Sequence, residues 1–341
     1  MCGRTACGLE PEQLCHACQR RTKENGGVSD AVWRDHPPLY QVRSTAFVAN
    51  YNLCPMQFGP VLVSGDQPCL RQKTSEIEPC SSADRVVMPM MWGIVPGYCT
   101  NKTLADLKLK PINARIEGLL GGKSNGPFSN ALNKKQRCVV VADGFYEWKG
   151  EKPKVPYLFY PKQNCSVKLW EPEGETVDDD GKWTGRQLLK MAGIFDCTLL
   201  AGEERSLFSY AVVTVASADW FKNTHERMPA ILDTDEAVDR WLDINVSSAD
   251  ALRLLKPYQV ELGSHQVDRK FVSDVRCHSN DCVRPSADVT PIKSPQDKKM
   301  KQKKFGTPPK KNLFAYFKRQ PASDVNDNLP PMKIAKKEEE D

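Results

Sequence analysis

Between Arg137 and Trp148 the chain reads Arg-Cys-Val-Val-Val-Ala-Asp-Gly-Phe-Tyr-Glu-Trp. Successive β-branched residues are stiff at χ1 and suit a pleated strand, and Asp-Gly is a turn pair. The run therefore predicts a buried strand that turns into an aromatic-flanked glutamate. Comparable short apolar runs at 85–96, 157–160, 188–195 and 209–216 predict further strands, bounded by Gly, Pro or charged stretches. Helices are predicted from Pro11 to about Asn25, where Gly26-Gly27 follows, from Thr234 to Leu242, and after Ser247 and Asp250, a capping pair ahead of Leu252, Leu254 and Leu255. Residues 64–84 and the charged stretch around Asp178-Asp179-Asp180-Gly181 read as surface loops. Strands and helices alternate without a regular βαβ period. The expected fold is α+β, with a mixed, largely antiparallel sheet curled around a cleft.

Charge separates a tail from the rest. Residues 293–341 hold 13 Lys+Arg and 7 Asp+Glu, a net of +6, against +5 for the whole chain, so residues 1–292 come to −1. The tail is rich in Lys, Pro, Ser, Asp and Gln and cannot build a core, so 2–292 is expected to fold and 293–341 to be disordered. A folded part near neutrality binds nucleic acid only through a local basic cleft. No stretch of 18 apolar residues and no basic-then-apolar leader is present, from which a soluble intracellular protein with no membrane partner is expected. Thirteen cysteines without a small secreted framework read as reduced thiols. Cys15, Cys18, Cys277 and Cys282 leave a zinc site open on spacing, although neither metal nor cofactor is expected.

Chemistry concentrates at a few positions. Removal of Met1 would leave Cys2 as a 1,2-aminothiol, whose amine (ordinary pKa about 7.7–8.0) attacks an aldehyde and whose thiol (about 8.5) closes onto the imine as a thiazolidine. In Asn113-Ala114-Arg115-Ile116-Glu117, an extended backbone would put the amide, guanidinium and carboxylate on one face. Glu147 lies between Tyr146 and Trp148, a setting suited to acid/base work, and His225 stands beside Arg227 ahead of a proline. In the tail, Lys298-Lys299-Met300-Lys301-Gln302-Lys303-Lys304 is a basic cluster, and Asn312-Leu313-Phe314-Ala315-Tyr316-Phe317 is an apolar island suited to folding onto a partner.

Cys2-Gly3-Arg4, Asn113-Ala114-Arg115, Asp143-Gly144-Phe145-Tyr146-Glu147-Trp148 and His225-Glu226-Arg227-Met228-Pro229-Ala230-Ile231-Leu232 follow the order seen in the SRAP family, which the chain resembles over roughly residues 2–290. The resemblance implies covalent capture of the ring-opened aldehyde of an abasic site in single-stranded DNA, with Cys2 as nucleophile. Asn113 would hold the terminus and the opened sugar, Glu147 would move protons during imine formation, and His225 would act on the sugar hydroxyl. It further implies DNA contacts from Arg4, Asn52, Pro55, Trp92, Arg115, Arg227 and Met228, with the guanidinium groups on phosphates and Trp92 with Pro55 stacked on a neighbouring base. The apolar island resembles a sliding-clamp-binding box through Leu313, Tyr316 and Phe317, with Lys310 in the slot usually given to glutamine. A monomer acting at replication forks in the nucleus follows from the same resemblance. Two other readings use the same residues: an N-terminal-nucleophile cysteine hydrolase or peptidase, and a non-covalent reader of modified cytosine.

Overall fold

The computed structural model describes residues 3–21, 27–71, 85–108, 110–121, 126–164, 167–171, 174 and 177–287. Met1, Cys2, the basic cluster at 298–304 and the motif residues Leu313, Tyr316 and Phe317 lie outside the described residues.

The first half of the chain runs β1 (Thr5–Cys7), α1 (Pro11–Ala17), β2 (Arg20–Arg21), β3 (Val28–Ser29), β4 (Val32–Trp33), β5 (Asn50–Leu53), β6 (Phe58–Ser64), α2 (Pro68–Arg71), β7 (Arg85–Trp92), β8 (Asn113–Arg115), α3 (Ile116–Leu120) and α4 (Ser129–Asn133). Then follow β9 (Arg137–Ala142), β10 (Gly144–Lys149), β11 (Val155–Tyr160), β12 (Leu189–Thr198), β13 (Leu207–Ala216), α5 (Asp219–Lys222), β14 (Arg227–Pro229), α6 (Asp235–Leu242), α7 (Ser248–Arg253), β15 (Gly263–Gln266) and α8 (Arg269–Ser273). Among the described residues these make a five-stranded sheet ordered β15-β11-β10-β1-β5 and an eight-stranded sheet ordered β14-β13-β12-β9-β6-β7-β4, with β8 added along β13. Pairing is antiparallel except where β4 meets β7 and where β13 meets β7 and β8. The expected mixed, largely antiparallel α+β architecture is what the chain adopts.

The two sheets meet at Asp143-Gly144. β9 belongs to the larger sheet and β10 to the smaller, so the Val-rich run and the aromatic run after it are one strand path bent at this pair. A side chain at Gly144 would collide with the carbonyl oxygen of Phe159 on the neighbouring strand, which is why the bend takes a glycine. Asp143 is fully buried and holds the corner through Oδ2, which accepts the Gly8 amide at 2.7 Å and pairs with the equally buried Arg186 guanidinium at 3.1 Å.

Several elements differ from the sequence expectation. The first helix stops at Ala17, because Arg20–Arg21 pairs with Val28–Ser29 as a small ribbon. β6 was not expected at all. Gly59 and Pro60 punctuate its sequence, yet it lies between β7 and β9 with Pro60 opposite Pro89, which gathers the missing backbone donors at one rung. Residues 85–92 and 209–216 are strands as expected, and both later helices keep their caps: Thr234 accepts from the Ala237 amide and Ser247 from the Asp250 amide, each at 3.1 Å. Arg137 opens an apolar strand fully buried, because its guanidinium donates to the carbonyls of Trp241, Asp243 and Val246 and so satisfies the end of α6. Among the described residues no helix is long and apolar enough to cross a membrane.

Candidate functional site

β1 lies between β10 and β5, so Thr5–Cys7 is held inside a sheet rather than at an edge. Thr5 stands opposite Phe145 and Ala6 opposite Gly144, and the Tyr146 amide donates to the Arg4 carbonyl at 3.0 Å. Continuing this antiparallel register brings Gly3 opposite Glu147. Glu147, only 6% exposed, therefore faces Gly3, the residue that follows Cys2 in the sequence. On its other side β10 pairs with β11, where Tyr157 faces Glu147 and Phe159 faces Phe145.

Side chains two apart share a strand face, so Phe145, Glu147 and Lys149 point the same way. That face is covered by α5. Phe221 meets the rings of Phe145 and Phe159 edge-on at 5.8 and 4.9 Å, and Trp220 lies 6.5 Å from Phe159. His225 follows α5 directly, its amide bonded to the Phe221 carbonyl at 3.1 Å. Its Nδ1 accepts the Arg227 amide at 3.0 Å, which assigns the proton of the neutral ring to Nε2. The same α5 thus carries His225 to the side of the sheet that bears Glu147.

The polar wall comes from β8. It runs parallel to the second half of β13, with Asn113 opposite Val212 and Arg115 opposite Thr214, while β14 lies on the other side with Arg227 opposite Ala216. Asn113 is half-buried and Arg115 exposed. The expectation of one extended face from Asn113 to Glu117 is corrected, because the strand ends at Arg115 and Glu117 stands in the first turn of α3. From there its Oε1 meets the Arg227 guanidinium at 2.6 Å, and that hydrogen bond holds the Glu117 carboxyl below its usual range.

Several residues expected to meet DNA lie elsewhere. Trp92 is fully buried, stacked 6.2 Å from Tyr210 with its indole N–H on the Ile112 carbonyl at 3.0 Å, and offers no face to a base. Met228 is also buried, its sulfur accepting the Ala218 amide at 3.3 Å. Arg227 is nearly buried and donates to Thr214 O as well as to Glu117. Asn52, fully buried, binds the carbonyls of Val272 and Asp274 at 3.3 and 2.9 Å. The Arg4 side chain reaches Asn52 Oδ1 at 2.8 Å and the Val272 carbonyl. It lies with Ala6 on the face of β1 opposite to Thr5, away from the Glu147 side. These groups position the first strand. Pro55 stays half-exposed in the turn before β6.

The structure adds residues that carried no signal in the sequence. Arg186 sits in what reads as a charged insertion, and Tyr51 receives the Tyr146 hydroxyl on its carbonyl at 2.6 Å. Burial pushes the Tyr146 hydroxyl well above its ordinary range. As for zinc, Cys18 is packed in the main core and Cys282 in a separate cluster with Tyr146 and Leu158. Burial pushes Cys15 to about 11 and Cys18 to about 12. Among the described residues no three His, Cys, Asp or Glu side chains are grouped to hold a metal.

Comparison with known proteins gives a consistent assignment. The chain is 35% identical over 287 residues to a chicken (Gallus gallus) protein named abasic site processing protein HMCES, covering 84% of this chain and 78% of that one. It is 33% identical over 362 residues to the Xenopus tropicalis protein of the same name, covering 99% and 100%. A Bacillus subtilis protein named abasic site processing protein YobE matches at 30% over 175 residues, half of this chain and 66% of that one. A crystal structure from Bacteroides thetaiotaomicron superposes with a TM-score of 0.50 at 21% identity, covering 69% of this chain and 85% of that one, a likeness of fold. The sequence model of the SOS response associated peptidase (SRAP) family matches residues 1–274, and the chain belongs to that family.

Proposed function

We propose that this protein processes abasic sites in single-stranded DNA by forming a thiazolidine between Cys2 and the ring-opened sugar aldehyde. The observation that carries this reading is the register of β1, which brings Gly3, the residue after Cys2, opposite the buried Glu147. The names of the chicken, frog and bacterial relatives support its abasic-site part alone.

The steps balance. Hydrolysis of the Met1–Cys2 peptide frees the amine. The amine adds to the aldehyde and loses water to give an imine; the Cys2 thiol then adds across the C=N bond, its proton passing to nitrogen. An imine left open would acidify the adjacent sugar carbon and permit β-elimination, whereas ring closure removes it and protects the strand. Glu147 exchanges protons with the amine and the departing water. His225, whose Nδ1 accepts the Arg227 amide, acts through its other ring nitrogen on the sugar hydroxyl during ring opening and reversal, and Asn113 holds the opened sugar. Arg115, exposed at the end of β8, meets backbone phosphate. Autocatalytic loss of Met1, with Glu147 and His225 as proton carriers, completes the scheme. We place the protein at replication forks in the nucleus as a monomer, its tail docking on the sliding clamp through Leu313, Tyr316 and Phe317.

Intact mass under denaturing conditions tests this, with and without an oligonucleotide carrying one abasic site. The expected result is a chain lacking Met1 and an adduct of protein plus oligonucleotide less one water, absent in Cys2→Ala. Cys2→Ser should lose the stable adduct while keeping a reductively trappable imine, and Glu147→Gln should slow capture by about a hundredfold or more. A processed chain that forms no adduct would return the site to hydrolysis or to non-covalent reading of modified bases.

A further inference from the structure

Residues 272–283 cross the far ends of β1 and β5 as a strap. Besides the Val272 and Asp274 carbonyls that receive Asn52, and Val272 that also receives Arg4, the His278 carbonyl accepts the Tyr51 amide at 3.3 Å and His278 Nδ1 lies 3.0 Å from Asn50 Oδ1. Asn280 anchors the strap's other end on the Trp170 carbonyl at 2.7 Å. Within it the sulfurs of Cys277 and Cys282, five positions apart, approach to 3.4 Å. They lie beyond the family match, which ends at 274. We propose that Cys277 and Cys282 form a reversible disulfide that locks this strap onto β5.

The two thiols are unequal. Cys277 is half-buried and reachable from solvent, with Ser279 Oγ 3.5 Å from its sulfur. Cys282 is buried, and its S–H donates to the Cys277 sulfur. An external disulfide reaches the half-buried Cys277 and not the buried Cys282, so Cys277 attacks and Cys282 resolves. Burial and the neighbouring sulfur raise the Cys282 thiol, consistent with that order. The oxidant is a small disulfide of the glutathione type. The Cys277 thiolate attacks one of its sulfurs and expels a thiolate, and Cys282, losing its proton, attacks the mixed disulfide and expels the second. Two protein thiols are oxidised to one disulfide, and the small disulfide is reduced to two thiols. Closing 3.4 Å to a bond of about 2.05 Å needs a side-chain rotation rather than a new fold. The short ring encloses His278, whose carbonyl receives the Tyr51 amide and whose Nδ1 meets Asn50 Oδ1, and so holds those two contacts to β5 in place. This lies beyond the proposed DNA chemistry and stands whether or not that chemistry occurs.

The test incubates the purified full chain with glutathione disulfide, quenches by alkylation and maps cysteine peptides by mass. The expected product is a Cys277–Cys282 peptide two hydrogens lighter than its dithiol form. In Cys282→Ser a glutathione mixed disulfide should persist at Cys277, and in Cys277→Ser Cys282 should stay unreacted. In the oxidised wild type the Tyr51 amide should exchange hydrogen roughly tenfold more slowly, within what closing a short loop provides. A persistent mixed disulfide at Cys277 in the wild type, or no reaction at either thiol, would overturn the pairing. Unchanged Tyr51 exchange in the oxidised chain would overturn the lock.

Discussion

Replacing Asp143 by asparagine removes a charge at the corner joining the two sheets while leaving its shape. Asp143 and Arg186 are both essentially inaccessible, and their charged groups are 3.1 Å apart. At about 4 Å between charge centres and an effective dielectric of about 20, such a pair attracts by roughly 4 kcal/mol. Arg186 keeps its bonds to the carbonyls of Leu169 and Glu171 at 3.3 and 3.1 Å, which satisfy donors without neutralising charge. Losing one partner of a buried pair costs about 3–5 kcal/mol; since the asparagine oxygen can still accept the Gly8 amide, a loss near 3 kcal/mol is expected. The assay is urea unfolding followed by tryptophan fluorescence, with Arg186→Met and the double variant completing the cycle. The double variant should lose clearly less than the sum of the two singles, because it leaves no lone buried charge. A loss under about 1 kcal/mol in Asp143→Asn, or simple additivity, would refute the view that this corner is held by the ion pair.

His36 supplies a pH dependence. It is buried with Nδ1 on the Pro37 carbonyl at 2.6 Å and Nε2 accepting the Phe208 amide at 2.9 Å, and burial lowers its pKa from 6.5 to about 4. The unfolded chain takes up the proton first, so this contribution is intact above pH 6.5, is lost as pH falls from 6.5 to 4, and is constant below, amounting to about 3 kcal/mol. An NMR titration of the His36 ring with a midpoint near 6.5 in the folded protein would contradict it. Trp92→Ala should cost about 3–5 kcal/mol in urea unfolding, as for a buried aromatic, with the folded fraction binding abasic single-stranded DNA within about twofold of wild type. Unchanged stability with lost DNA affinity would return Trp92 to the DNA surface.

What the linear sequence determined is what depends on near neighbours. Val139-Val140-Val141 and Val212-Val213 specify strands because β-branched side chains restrict their own backbone, Thr234 and Ser247 start helices because their oxygens reach amides three residues on, and Asp143-Gly144 turns because glycine admits the Phe159 carbonyl. The motifs around Asn113, Glu147 and His225 also stood out locally; in the fold Asn113 lies on β8 along β13, while α5, which leads to His225, packs on the face of β10 that bears Phe145 and Glu147. Accessibility was not legible, since it depends on what packs over a side chain from far along the chain. Trp92 is covered by Tyr210, Arg4 is held by Val272, and Arg227 is tied to Glu117. β6 was hidden for a related reason: Gly59 and Pro60 read locally as breakers, and only pairing with β7 and β9 makes that segment a central strand. Tertiary structure likewise brought Glu147 opposite Gly3, because strand register across distant segments is set by the packing of both sheets and by no residue alone.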